Sequence, residues 1–177
     1  MRALFSLAVR MAQLIGLDDD PSTNFPPLLA EMRRRLWWQL CSLESRGAEE
    51  GLARTNSILE DRNVALPANL FDFDLHPDMV ECPQSRSGCT DMTFVLIRFE
   101  TIRTMYRLWK IRKTHAQRSN GTEAADLKSE QRKSLQESKL RFETKYLQYL
   151  DQSRPYDWLC MSFAKAMIVC ASLHSRV

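Results

Sequence analysis

The chain has 177 residues, 44% hydrophobic and 27% charged, proportions that fit a globular domain with a real core and exclude a disordered or fibrous chain. Its 25 basic and 22 acidic side chains leave a net charge of +3, too weak a bias to imply nucleic-acid binding by itself. With 5 glycines and no sustained alternation of β-branched residues, strand signals are scarce, and the expected fold is all-α: a multi-helical irregular bundle.

A first helix is predicted from about Ala3 to Ile15, with Leu4, Leu7, Met11, Leu14 and Ile15 at helical spacing and Gly16 at its C-terminal cap. A short basic and apolar start also fits a signal peptide, but Arg10 interrupts it, so an amphipathic core helix is expected. Asp18, Asp19 and Asp20 read as a solvated turn. Pro26 and Pro27 suit the first turn of a second helix, which runs to about Leu43 with Leu29, Met32, Leu36, Leu40 and Leu43 as its core face. Residues 46–91 form a long irregular segment with Pro67, Pro77 and Pro83. A long helix follows over about 92–117, and another from about Glu123 to Leu150. The last, from about Tyr156 to Leu173, is apolar on nearly every side and is predicted to be central and buried. No stretch approaches the roughly 18 consecutive apolar residues of a membrane span.

Cys41, Cys82, Cys89, Cys160 and Cys170 are odd in number and widely spaced. They match no zinc-finger or zinc-cluster spacing and fit a reducing compartment. Asp72, Asp74, His76 and Asp78 alternate, but Pro77 and Pro83 stand where a calcium loop needs Gly and Glu, so local backbone hydrogen bonding is expected there. The histidines His76, His115 and His174 belong to no local nucleophile pattern, and there is no Gly-rich phosphate loop. No catalytic residue or metal site is predicted, and the chain does not read as an enzyme.

Two charged constellations stand out. In Glu31-Met32-Arg33-Arg34-Arg35-Leu36-Trp37-Trp38, consecutive arginines point about 100° apart and cannot form one basic face. Stacking of Arg33 on Trp37 and of Arg34 on Trp38 is expected, with an ion pair from Glu31 to Arg35. At least one arginine is predicted to be buried and paired, with Glu44, Glu49 and Asp72 as candidate partners. The second is the face Arg103, Arg107 and Lys110 on the long helix, with Tyr106 and Trp109 interleaved, a candidate surface for an acidic partner.

The run Ala8–Leu17, the acidic turn and Glu31–Trp38 resemble the regulatory "middle homology" domain of fungal binuclear-zinc-cluster transcription factors. So do Leu43–Glu50, Leu66–Asn69 with Asp72, Asp74 and Leu75, Cys89–Phe94, and Tyr149–Asp151 with Pro155 and Trp158, in the same order. The resemblance spans nearly all of 1–177, as one partial domain. It implies an all-helical regulatory module of the nucleus, working through protein partners or other parts of a regulator, with room for a small-molecule effector. The family binds DNA through an N-terminal six-cysteine cluster holding two zinc ions. That cluster is absent here, so neither zinc nor another cofactor is expected, and DNA only through the missing element. The chain thus reads as a fragment, and one expectation is that it does not fold stably alone. The alternative is a small helical metabolite-binding protein or enzyme, such as one from a secondary-metabolite gene cluster, with a pocket lined by Trp37, Trp38, Trp109 and Trp158.

Overall fold

Among the described residues there are five α-helices: α1 Arg2–Leu14, α2 Pro27–Glu49, α3 Thr93–Arg118, α4 Ala124–Lys145 and α5 Pro155–His174. Short 3₁₀ helices lie at Pro21–Thr23, Ser57–Leu59, Asp72–Asp74 and Leu147–Tyr149. The computed structural model describes residues 2–49, 57–59, 62–118 and 124–174, and no strand occurs among them. The fold is all-α. The chain divides into two compact units, Met1–Arg86 with Thr90–Met92, and Ser87–Cys89 with Thr93–Val177.

In the first unit, α1 ends where Gly16 adopts φ +63°, a left-handed conformation that costs other residues a Cβ clash. This turn lets the Leu17 amide reach the Ala12 carbonyl at 2.8 Å and the Gly16 amide reach Gln13 at 3.0 Å, closing the helix end. Contrary to the periodicity argument, Leu4, Leu7, Met11, Leu14 and Ile15 are all exposed. The helix docks instead through half-buried Phe5 and Val9 and buried Ala12, a second apolar stripe at spacings of four and three. The same reversal occurs in α2. Leu29, Met32, Leu36 and Leu43 are exposed and Leu40 is half-buried, while Ala30, Glu31, Trp37, Trp38, Cys41, Ser42, Glu44 and Ser45 are buried. This face turns the two indoles inward and also carries the carboxylates of Glu31 and Glu44, which bind neighbouring segments.

The irregular stretch after residue 61 is tied down by Asn69. Its amide donates to Ser85 Oγ at 3.1 Å and its side-chain Nδ2 to the Arg86 carbonyl at 2.9 Å. Its Oδ1 accepts from Thr90 Oγ1 at 2.7 Å, and its carbonyl accepts the Arg86 amide at 2.9 Å. Leu70, Val64 and Pro67 supply the buried apolar side of this segment.

In the second unit the contacts define the helix directions. Across α3 and α4, His115 meets Glu130, Thr104 meets Ser138 and Glu100 meets Arg141, so these helices run antiparallel. Phe94 packs on Phe163 with ring centroids 4.5 Å apart, and Thr101 and Thr104 share a small void with Ile168 and Ala171, so α5 runs parallel to α3. Many β-branched residues sit in α3, against helix propensity. Packing overrides it, and the Thr101 and Thr104 hydroxyls are satisfied by the carbonyls of Ile97 and Glu100, at 2.8 and 2.9 Å.

Helix α5 is not the fully buried helix that its composition predicted. Tyr156, Trp158, Leu159, Val169 and Leu173 are exposed, while Asp157, Cys160, Met161, Ala164 and Ala171 form its inward face. By length and mean hydropathy Pro155–Leu173 is also long and apolar enough to cross a membrane, although Asp157 and Lys165 interrupt its apolar run. Its packing against α3 and its buried Asp157 fit a helix applied to a protein core.

Candidate functional site

The three arginines of α2 fan out to three different segments. Arg33 donates from Nη2 to the carbonyls of Ile15 and Gly16, both at 2.8 Å, where α1 ends with unpaired oxygens and a partial negative charge. Its guanidinium lies 4.1 Å from the centroid of the Phe25 ring. Arg34 binds Asp20 through Nε at 3.2 Å and Nη2 at 2.9 Å, and also contacts Ser22 Oγ. Arg35 bridges Glu31 at 3.0 Å and Asp72 at 3.1 Å.

All three guanidinium groups are half-buried, and Trp37 and Trp38 are buried. The expected Arg–Trp stacking is replaced: Arg33 turns to the Ile15 and Gly16 carbonyls and the Phe25 ring, and Arg34 to the Asp20 carboxylate, a charged acceptor that binds a guanidinium more strongly than an indole face does. Trp38 Nε1 instead donates to the Ala65 carbonyl at 2.9 Å. Among the candidate carboxylates, Asp72 pairs with Arg35, and Glu44 accepts the Ile58 amide at 3.2 Å. The Glu49 side chain lies outside the described residues.

Glu31 is fully buried and also accepts the Ala68 amide at 3.2 Å. The acidic turn is not simply solvated: Asp18 is buried and pairs with Arg62 at 2.9 Å. These links tie α2 to the turn after α1 and to the irregular segment. They leave no aligned basic face for a phosphate backbone.

The acidic loop is likewise engaged within the unit. Besides Asp72, Asp74 accepts the Phe71 amide at 3.0 Å and Arg86 Nε at 2.8 Å, and His76 and Asp78 are exposed. Among the described residues no group of three or more His, Cys, Asp or Glu side chains converges as metal ligands. Cys41 and Cys82 fall in one unit and Cys89, Cys160 and Cys170 in the other.

The second constellation lies along α3 and α4. Glu100 is 2% exposed and meets Arg103 at 2.6 Å, Lys145 at 3.4 Å and Arg141 at 3.6 Å. The sequence pointed to Arg103, Arg107 and Lys110 as one face. The structure takes Arg103 inward to Glu100 and leaves Arg107 and Lys110 on an open groove of about 740 Å³. From α4 the groove receives Lys133, Ser134, Glu137, Arg141 and Glu130, the last held by His115 Nε2 at 2.9 Å. Burial first, then repulsion from Arg103 and Arg141, lowers the Arg107 guanidinium below its ordinary value, although it stays charged at neutral pH.

Reasoning from the sequence missed Glu100, Lys133 and Arg141. The available signal was that Glu100 is the only acid on an otherwise basic helix, set among Phe99, Thr101 and Ile102. Such a carboxylate needs cationic partners, and a second helix has to bring some of them.

The four tryptophans do not belong to one unit: Trp37 and Trp38 lie in the first, Trp109 and Trp158 in the second. Trp109 stacks on Tyr106 with centroids 5.6 Å apart and carries Lys113 over its ring, and Trp158 is exposed. The apolar void lined by Phe142, Met167 and Ile168 is about 10 Å³, hardly room for one water. The His174 side chain lies outside the described residues.

The aurofusarin cluster transcription factor aurR2 of Gibberella zeae is 31% identical over 167 residues, covering 93% of this chain and 24% of its own length. The C6 finger domain transcription factor hasF of Aspergillus fumigatus is 35% identical over 91% of this chain and 24% of its own length. The C6 finger domain transcription factor nscR of Aspergillus fumigatus is 27% identical over 96% of this chain and 21% of its own. The chain therefore spans about a quarter of the length of the relatives it matches. No protein-family model and no solved structure matches it.

Proposed function

Because this chain is homologous to a segment of the fungal C6 zinc-cluster transcription factors, we propose that it acts as a regulatory module in transcription, by binding rather than by chemistry. The observation that carries this reading is alignment with such regulators over 91–93% of the chain at 31–35% identity. The internal arginine links of the first unit support it. They build a scaffold and leave those arginines engaged within the protein, without an aligned phosphate-binding face. Zinc and direct base recognition are not assigned to these residues, which contain no six-cysteine cluster. The module works in the nucleus, through protein contacts.

The test is a reporter assay in a fungal host. The chain is placed between a heterologous DNA-binding domain and an activator, and transcription is compared with the same fusion carrying Trp37→Asp, which breaks the first core. The native module should shift reporter output and the broken one should not, at equal protein level. Equal output from both, with and without the module, sinks the reading.

A further inference from the structure

We propose that the groove between α3 and α4 docks an acidic peptide segment. The inference does not rest on the transcriptional reading; it starts from how charge is distributed. The first unit holds 9 basic and 14 acidic residues, and the second 16 basic and 8 acidic. Every lysine of the chain lies in the second unit. Helix α3 carries seven basic residues and one acid, and that acid, Glu100, is buried and already shared by Arg103, Arg141 and Lys145. The small net charge of the whole chain therefore conceals a strongly basic surface.

The register of the antiparallel pair concentrates this charge. With His115 level with Glu130 and Thr104 level with Ser138, Lys110 falls level with Lys133 on the facing helix. Both line the groove together with Arg107. Among the described residues, the side chains of Arg107, Lys110 and Lys133 have no hydrogen-bond or ion-pair partner. Like charges facing one another across a groove are unfavourable until an anion comes between them.

The groove's other residues decide which anion. Glu137 lines it and Ile111 contributes an apolar patch. A nucleic-acid backbone is negative at every step and would meet Glu137 and Glu130. A peptide can alternate: carboxylates toward Arg107, Lys110 and Lys133, an apolar side chain on Ile111, and a backbone amide donor toward Glu137. A groove of about 740 Å³ is of the size that holds a few residues.

The test is fluorescence anisotropy with the 177-residue chain and a dye-labelled peptide of alternating Asp, Glu and Leu. A peptide with Asn and Gln for the acids is the control, and DNA of equal charge is the competitor class. The acidic peptide should bind, more weakly at high salt. Lys110→Glu with Lys133→Glu should weaken it by about tenfold or more, roughly 1.4 kcal/mol. Arg154→Glu, exposed and outside the groove, should leave binding unchanged. Lys110→Gln with Lys133→Gln repeats the measurement should the double reversal disturb the thermal melt. Equal binding of the amide peptide, tighter binding of the DNA with the same loss in the variants, or no binding of the acidic peptide overturns the proposal.

Discussion

The Asp20 carboxylate holds the guanidinium of Arg34 by two hydrogen bonds, 3.2 Å from Nε and 2.9 Å from Nη2. It also accepts the amides of Ser22 at 3.0 Å and Ala65 at 2.8 Å. One short side chain in the turn after α1 thereby joins α2 to the irregular segment.

This arrangement makes the first unit acid-sensitive. Burial alone raises the Asp20 carboxyl, but the hydrogen bonds from Arg34, Ser22 and the Ala65 and Ser22 amides outweigh it and hold it well below the usual carboxylate range. Below the ordinary carboxylate pKa of about 4 the unfolded chain binds a proton that the native state refuses, so stability rises with pH in that window. The contribution is fully present at neutral pH and is lost as pH falls from about 4 through the folded value. Asp20→Asn should cost about 1.5–3 kcal/mol at neutral pH, read from urea unfolding, and should flatten the acid limb. An unchanged acid limb in the variant contradicts this account.

Glu100 offers a harsher test in the second unit. Removing its charge leaves Arg103, Arg141 and Lys145 around a buried site with no counter-ion. Glu100→Ala should destabilise by about 3–5 kcal/mol, whereas exposed Glu137→Gln should stay within about 0.5 kcal/mol. Comparable unfolding midpoints for the two variants would refute the burial argument.

The helices and the Gly16 cap were legible in the sequence because hydrophobic spacing and a glycine past the last periodic residue are local signals. Which face goes inward was not legible. In α1 the stripe of Leu4, Leu7, Met11 and Leu14 is larger than that of Phe5, Val9 and Ala12, yet the smaller one is covered. Burial depends on what the fold sets opposite, which no spacing records. The arginine run was legible as an interaction centre, and Glu31 with Arg35 is local at four residues. Asp20 and Asp72 lie 14 and 37 residues from their arginines, and only the path of the chain brings them together.

The exposed stripe of α1 leads to the third expectation. Leu4→Gln, Leu7→Gln and Leu14→Gln should each change stability by no more than about 0.5 kcal/mol, read from urea unfolding. Ala12→Leu, on the covered face, should cost about 1–3 kcal/mol by overpacking. Large losses from the three leucine changes would mean that this stripe is the packed one.

The last expectation concerns Cys89. Burial first, then its hydrogen bond with Asp157 and the nearby Cys160 thiol, pushes Cys89 up to about 12. Only the thiolate is nucleophilic, and a free cysteine titrates near 8.5, so the reactive fraction at neutral pH falls by about three orders of magnitude. Iodoacetamide should therefore modify Cys89 at least about 100-fold more slowly in the native chain than in denaturant at the same pH, as followed by mass spectrometry of the alkylated peptide. Asp157→Asn removes the carboxylate that disfavours the thiolate while keeping an acceptor for the Asp151 amide, now 3.0 Å away. The thiol should titrate lower in this variant, and native labelling should speed up without loss of the thermal transition. Equal labelling rates in native and denatured chains would show that burial does not govern the thiol, and no acceleration in Asp157→Asn would show that this carboxylate does not.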